Sequence, residues 1–281
     1  MRVLITNDDG YRAPGLAVLA RAFAEAGHDV VVVAPLSEAS GAGAGIGPLH
    51  VTGGGIRVEA VSPAGLEGIK VLGADALPAL IVIAACLGAF GPIPELVASG
   101  INPGRNVGRA VLHSGTVGAA LTSVHFGLKG LATSIQAGAQ PSAYEAAGST
   151  HPHFGSAAAL AVAFAESLED APSRTVLNLN VPDLPLAQIR GVRRAGLART
   201  GLTLAAAENN SEPNVRLELS RQPADVDEDS DESLTALGWA VVTPLASIME
   251  DHRPEVGGVV TAAVLAATKR LQEAKAATPG S

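Results

Sequence analysis

Four consecutive valines, Val30, Val31, Val32 and Val33, closed by Ala34 and Pro35, constrain the fold of this chain more than any other stretch. A β-branched run without alternation reads as a strand buried on both faces, and such strands belong to parallel sheets covered by helices on either side. The flanking pattern agrees. Residues 3–6 predict a short strand, Pro14–Glu25 an amphipathic helix with Leu16, Leu19, Ala20 and Phe23 on one face, and Asp29–Pro35 the next strand. Further strands are expected near 56–61, 69–72, 95–99, 131–135 and 175–181. Helices are expected over 77–90, 115–127 and 154–168 between them. This alternation predicts an α/β fold, a three-layer α/β/α, Rossmann-like, mainly parallel sheet. Regularity fades afterwards. Residues 184–222 read as projecting hairpins or loops, 238–245 as a returning strand, and 256–274 as a closing helix with Val259, Val260, Ala263 and Leu271 spaced for a buried face. We therefore expect an α/β core over 1–183, with 184–281 supplying projecting hairpins and a C-terminal extension of the same domain.

Composition narrows the function. A chain of 281 residues, 47% hydrophobic, can complete one large α/β core. A net charge of −8 argues against a binder of duplex nucleic acid, which would carry a basic stripe. The single cysteine, Cys86, allows no internal disulfide and no cysteine-rich zinc site, and its apolar surroundings predict a buried thiol. The uncharged stretch 76–94 is broken by Pro78, Gly88, Gly91, Pro92 and Pro94. It predicts a core helix rather than a membrane span of about 20 apolar residues. With the first strand opening at once, no targeting segment is read, and the cytoplasm is the expected location.

The chemistry concentrates in three loops. Asn7-Asp8-Asp9-Gly10 stands where the first strand ends, and ligands of open α/β sheets bind at the carboxyl ends of strands. Two adjacent carboxylates repel each other unless protons or a cation relieve them. By itself the tetrapeptide suits a tight turn or a helix N-cap equally well. A second loop, 99–108, follows a strand and places two amides, Asn102 and Asn106, four residues apart. Ser114-Gly115-Thr116 then opens a helix, where free backbone N–H groups favour a phosphate. The third is Ser40-Gly41, after the valine strand. Converging at one sheet edge, these loops would gather Asp8, Asp9, Ser40 and Asn102, all oxygen donors, beside a phosphate site.

With these segments in view, the chain resembles the SurE survival proteins, metal-dependent nucleoside-monophosphate phosphatases. The matching residues are Asn7-Asp8-Asp9-Gly10 with Ala13-Pro14-Gly15, Val33-Ala34-Pro35 with Ser40-Gly41, and Ser99-Gly100-Ile101-Asn102 with Gly104, Asn106 and Gly108. Ser114-Gly115-Thr116-Val117 follows, then Leu177-Asn178-Leu179-Asn180-Val181-Pro182 and Gly238-Trp239-Ala240-Val241-Val242-Thr243-Pro244-Leu245, so the ordered set runs to about residue 250. The resemblance implies that Asp8, Asp9, Ser40 and Asn102 hold one divalent cation per subunit, and that Asn106, Ser114, Gly115 and Thr116 face the substrate phosphate. All-oxygen ligands favour Mg²⁺ or Mn²⁺ over zinc. Either Asp8 or Asp9 is expected to take the proton from the attacking water. The implied activity is hydrolysis of nucleoside monophosphates to nucleoside and phosphate. The implied assembly is a homodimer or homotetramer, with neither a nucleic-acid duplex nor a membrane as partner.

Departures from the family pattern bear on substrate. Its polar, arginine-containing segment before the serine is here Leu36-Ser37-Glu38-Ala39, and a Gly/Ala-rich stretch at 41–47, read as flexible, replaces Ser and Asn. Gly73-Ala74-Asp75-Ala76-Leu77-Pro78 stands for Gly-Thr-Pro-x-Asp-Cys, and His113 for a tyrosine. These changes keep open the same chemistry on another phosphorylated metabolite of a specialised pathway, or a non-catalytic nucleotide or metal binder. Asn102, Asn106, Ser114 and Thr116 also have plain turn or cap readings. His113 reads as a structural substitution ahead of a proton donor, and His151 and His153 as a surface loop ahead of a metal pair. The acidic run 225–232 lacks the glycine and glutamate of a calcium loop and reads as a solvated loop whose last acids cap a helix.

Overall fold

Strand β1 (Arg2–Thr6) lies parallel to β2 (Asp29–Pro35), with Leu4 opposite Val31 and Ile5 opposite Val32. The alternation hidden in the valine run shows in where the side chains go. Val32 and Ala34 enter one apolar cluster with Val3 and Ile5, whereas Val33 joins Leu4 in the cluster on the opposite face. Each strand thus feeds two cores, which is why no polar residue interrupts it. The computed structural model describes residues 1–48, 53, 55–136, 152–199, 203–208, 216–220, 227–246, 259–261, 263–265 and 268.

The remaining strands are β3 (Val58–Ala60), β4 (Lys70–Ala74), β5 (Leu96–Pro103), β6 (Lys129–Gln136), β7 (Val176–Pro182), β8 (Val192–Arg194), β9 (Thr203–Glu208), β10 (Arg216–Ser220) and β11 (Ala240–Leu245). Nine form one sheet in the order β3-β4-β2-β1-β5-β6-β7-β11-β8, while β9 and β10 pair antiparallel on their own. From β4 through β7 the pairings are parallel, and β3 and β11 join antiparallel. Helices α1 (Pro14–Glu25) and α4 (Phe154–Glu169) cover one face; α2 (Pro78–Cys86) and α3 (Gly115–Thr122) cover the other. This is the three-layer α/β/α arrangement expected. Helix α1 buries Leu16, Leu19, Ala20 and Phe23, the face its spacing predicts. Helix α2 is apolar all round and buried nearly throughout, Cys86 included, whose thiol burial pushes up to about 11. Among the described residues no helix is long and apolar enough to cross a membrane.

Several boundaries move for local reasons. The helix expected over 77–90 ends at Cys86, ahead of Gly88 at φ +83°. The one expected over 115–127 divides at Thr122, where the Thr122 hydroxyl donates to Gly118 O and the Ser123 hydroxyl to Ala120 O. Such back-bonding competes with regular helix, and a 3-10 turn (Ser123–Phe126) closes on left-handed Gly127. By contact the chain divides into units Met1–Leu245 and Ala246–Ser281. Of the closing helix, residues 259–261, 263–265 and 268 are described; Leu271 lies outside the described residues. Val259 and Val260, expected on a buried face, are exposed in the single chain.

Candidate active site

The Asn7–Gly10 turn is closed by its own first residue. Asn7, fully buried, accepts at Oδ1 from Gly10 N–H (3.2 Å) and donates from Nδ2 to Gly10 O (3.1 Å). Gly10 sits at φ +95°, which a side chain would strain, and Tyr11 N–H then reaches Pro35 O. Two carboxylates are thereby held at the carboxyl end of β1. Asp8 is buried and accepts at Oδ1 from the Thr116 hydroxyl at 2.6 Å. Burial pushes its carboxyl above the usual range, against the pull of that hydroxyl and of backbone N–H groups at Thr116 and Gly115. Helix α3 comes so near that a Cβ on Gly115 would lie 2.7 Å from Asp8 Cβ and 2.8 Å from Oδ2. Among the described residues Asp9 has no such donor. Its Oδ2 is buried without a hydrogen-bond partner, and burial, then Asp8, then Glu38 push its carboxyl up to about 7.

The segment after β2 is tied to the same turn, Ala39 N–H donating to Asp8 O at 2.7 Å. Ser40 is exposed and its hydroxyl donates to Glu38 Oε1 at 2.9 Å. The Gly/Ala stretch read as flexible is packed at Gly43, which is buried, donates to His113 O at 3.2 Å and lies against Gly118 of α3. Glycine at both positions serves backbone approach. His113 itself is exposed at the end of a 3-10 turn (Gly108–His113).

Beside β1, β5 pairs Ser99 with Thr6 and continues past the expected boundary to Pro103. Gly100, at φ +132°, faces Thr133 O, leaving no room for a Cβ; Gly15 of α1 lies as tightly against Ile101 O. Asn102, half-buried, donates from Nδ2 to Gly104 O at 2.6 Å. Asn106 is buried and held through its backbone and its side-chain nitrogen. Its N–H donates to Asn180 Oδ1 (2.9 Å), its carbonyl accepts from Asn178 Nδ2 (2.8 Å) and Asn180 Nδ2 (2.9 Å), and its own Nδ2 donates to Ser134 Oγ (2.8 Å). Ser114 caps α3, accepting from Val117 N–H at 3.1 Å.

The family model described as Survival protein SurE matches residues 3–203, which include every residue proposed from the sequence for this site. The chain belongs to the SurE family. Relatives named 5'/3'-nucleotidase SurE, from Shigella dysenteriae serotype 1 and Serratia proteamaculans, are each 38% identical over 201 residues, spanning 69% of this chain and 68% of the relative. The fold matches the crystal structure of the SurE protein from Aquifex aeolicus with a TM-score of 0.71 at 24% identity, over 90% of this chain and 96% of that one.

Some residues that hold the candidate site were given no role in the sequence reading. Asn178 and Asn180 share one face of a buried strand, and two asparagines at that spacing were the available signal. The acidic run does end in a helix start, with Asp231 and Glu232 in the first turn of α5 (Asp231–Ala236), but Asp231 is fully buried rather than solvated. It accepts from Gly108 N–H (3.0 Å), Ala198 N–H (2.8 Å) and Glu232 N–H (2.8 Å). Burial raises its carboxyl against those donors. His153 bonds Asp183 at 2.8 Å, and His151 lies outside the described residues. Among the described residues no group of three or more His, Cys, Asp or Glu could hold a metal.

Proposed function

We propose that this chain is a divalent-metal-dependent phosphomonoesterase that hydrolyses nucleoside monophosphates to nucleoside and phosphate. The observation that carries the reading is the buried, partnerless Oδ2 of Asp9 beside Asp8, an arrangement costly for the empty pair and suited to a cation. Asp8, Asp9, Ser40 and Asn102 are the proposed ligands, an oxygen set fitting Mg²⁺ or Mn²⁺. The missing Cβ at Gly115 keeps space beside Asp8 Oδ2. When bound, the cation supplies Lewis acidity toward a phosphate oxygen and the attacking water.

The chain's own groups do the rest. Thr116 clamps Asp8 Oδ1 and so fixes the direction of the carboxylate's other oxygen. Asp8 or Asp9 accepts the proton of the attacking water, with Asp9 Oδ2 the acceptor that no protein donor already engages. The start of α3, at Ser114, Gly115 and Thr116, turns its positive end toward the substrate phosphate, and the pinned Asn106 loop borders it. Glu38 favours a second reading, the same chemistry on a different phosphorylated metabolite, because it sets a negative charge where a nucleotide site commonly carries donors.

A homo-oligomer is proposed as well, supported by exposed Val259, Val260, Val264 and Leu265. Light scattering at micromolar concentration checks it, a monomer counting against it. The function is tested by stripping the protein with EDTA and assaying p-nitrophenyl phosphate, then a panel of nucleotides and sugar phosphates, with Mg²⁺ or Mn²⁺ restored. Turnover that survives chelation would overturn the metal assignment, and turnover without nucleotide preference would favour the second reading.

A further inference from the structure

Helix α5 fastens the loop that carries Asn106. The two oxygens of buried Asp231 divide the work. Oδ1 accepts from Ala198 N–H and Glu232 N–H, each at 2.8 Å, which anchors the side chain among its own neighbours. Oδ2 accepts from Gly108 N–H across 123 residues at 3.0 Å, the same N–H lying 3.3 Å from Oδ1. Three N–H groups thus converge on one side chain, and an amide would have a single oxygen to offer them. On the far side of Asn106, the Arg105 guanidinium, 6% exposed, donates from Nη1 to Glu232 O at 3.2 Å.

Gly108 is the point where this fastening bears on the site. Two residues before it stands Asn106. The 3-10 turn that begins at Gly108 runs directly into Ser114, the cap of α3. Asn178 and Asn180 hold Asn106, whereas the N–H of Gly108 is held by Asp231. Where Gly108 sits therefore fixes how the Asn106 loop and the start of α3 stand toward each other. A bond from an N–H to a carboxylate is about twice as strong as one to a neutral acceptor, and bound groups misplaced by about 1 Å cost up to about 10²-fold in rate.

We propose that Asp231 is a positioning residue for phosphate binding: through Oδ2 it sets Gly108, and with it Asn106 and Ser114–Thr116, the two segments assigned to the substrate phosphate. The proposal deepens the phosphatase reading and rests on it for the identity of the ligand. Because the phosphate is what is positioned, every ester should suffer alike, whatever its leaving group.

Asp231→Asn separates the two tasks. Its Oδ1 keeps Ala198 and Glu232, since turning the amide round would set its nitrogen against both. The nitrogen then replaces Oδ2 and meets Gly108 N–H donor to donor. With Mg²⁺ present, the inhibition constant for inorganic phosphate and KM for p-nitrophenyl phosphate and for nucleoside monophosphates are expected to rise about tenfold together. Ser230→Ala is the control. It removes the cap that accepts from Ser233 N–H at 3.2 Å, loosening the start of α5 without touching Gly108, and should leave KM and the phosphate constant within about twofold of wild type. A merely structural role predicts a different split, in which lost folded protein lowers apparent kcat and moves neither constant.

Constants unchanged in Asp231→Asn, or raised equally in Ser230→Ala, overturn the proposal and leave the phosphatase reading intact. If the wild type turns nothing over, that reading fails, and calorimetry with inorganic phosphate still decides. An affinity about tenfold weaker in Asp231→Asn supports the positioning role, and equal affinities or a wild type that binds no phosphate overturn it. Should Asp231→Asn not fold, hydrogen exchange of the wild type decides instead. A bond that positions the loop for phosphate must be tightened by phosphate in return. Saturating phosphate should therefore slow exchange at Gly108 N–H about tenfold beyond any slowing at core amides such as Leu4, and no such excess overturns the proposal.

Discussion

The two halves of the candidate site are built differently. On the β1–β5 side, Asp9 Oδ2 apart, the groups are pinned: Asn7 closes its own turn, Thr116 clamps Asp8, and two asparagines, Ser134 and Asp231 hold the loop through Gly108. On the β2–β4 side the lining is aliphatic or exposed, and Ser40 and Glu38 bond chiefly to each other. Catalysis on a shared phosphate group demands fixed geometry, whereas leaving-group recognition can change without disturbing it. Of the departures from the family pattern, those at 36–39, 41–47 and 73–78 fall on the second side, while His113 stands immediately before α3.

The comparison breaks first if the pinned side does not carry the chemistry. Asp8→Asn and Asp9→Asn should each cut metal-dependent hydrolysis about 10³-fold, the scale for losing a group that stabilises developing charge. The metal-free variants should melt no lower than wild type, because a repelling pair has been relieved. Activity within tenfold of wild type in both would remove the chemistry from this turn.

Asp231→Ala probes the pinning itself. Buried N–H groups at Gly108 and Ala198 would lose their acceptor, costing about 3 kcal/mol, read as a lower urea midpoint at unchanged slope. A loss under about 1 kcal/mol would show that Asn178 and Asn180 hold the loop without it.

A smaller effect comes from pH. Asp9 stands at about 7 in the folded chain against 3.8 for the free group, so between those values the folded state binds more protons than the unfolded one. Asp9's contribution to the stability of the metal-free protein is therefore fully present below about pH 4 and lost progressively as pH rises through about 7. The ceiling is about 4 kcal/mol and solvent screening brings it to about 2 kcal/mol. Melting temperature of the EDTA-treated protein, followed from about pH 5 to 8, should fall in the wild type and run flatter in Asp9→Asn. Parallel curves would mean that Asp9 is not the strained group.

Much of this was legible in the chain. The valine run set the sheet, period-3.6 spacing set the buried face of α1, and the Asn-Asp-Asp-Gly turn marked the candidate site. What could not be read depends on distant pairings. Asp231 meets Gly108 across 123 residues, and its burial is decided by β11 returning beside β7, not by its acidic neighbours. The glycines at 41–47 looked like slack, because a sequence does not say that Gly43 lies against Gly118. Helix ends moved where hydroxyls at Thr122 and Ser123 turned back on the backbone.

The finest test of the comparison is Thr116→Val, which keeps the shape of a fully buried side chain and deletes only its hydroxyl. Asp8 Oδ1 then loses its 2.6 Å donor but keeps the backbone N–H groups at the start of α3. A net hydrogen bond to a charged group is worth about 1.5 kcal/mol, and apo stability should drop by about that amount or less, since the repulsion with Asp9 also eases as Asp8 protonates more readily. Cation affinity should fall about tenfold, the lower end of what losing a partner of a metal ligand costs, measured by calorimetry with Mn²⁺. The ratio of kcat/KM between two nucleotides that differ only in their base should not move, because Thr116 belongs to the pinned side. A shift in that ratio as large as the loss in affinity would mean the two halves act as one unit, and the division drawn between them would fail.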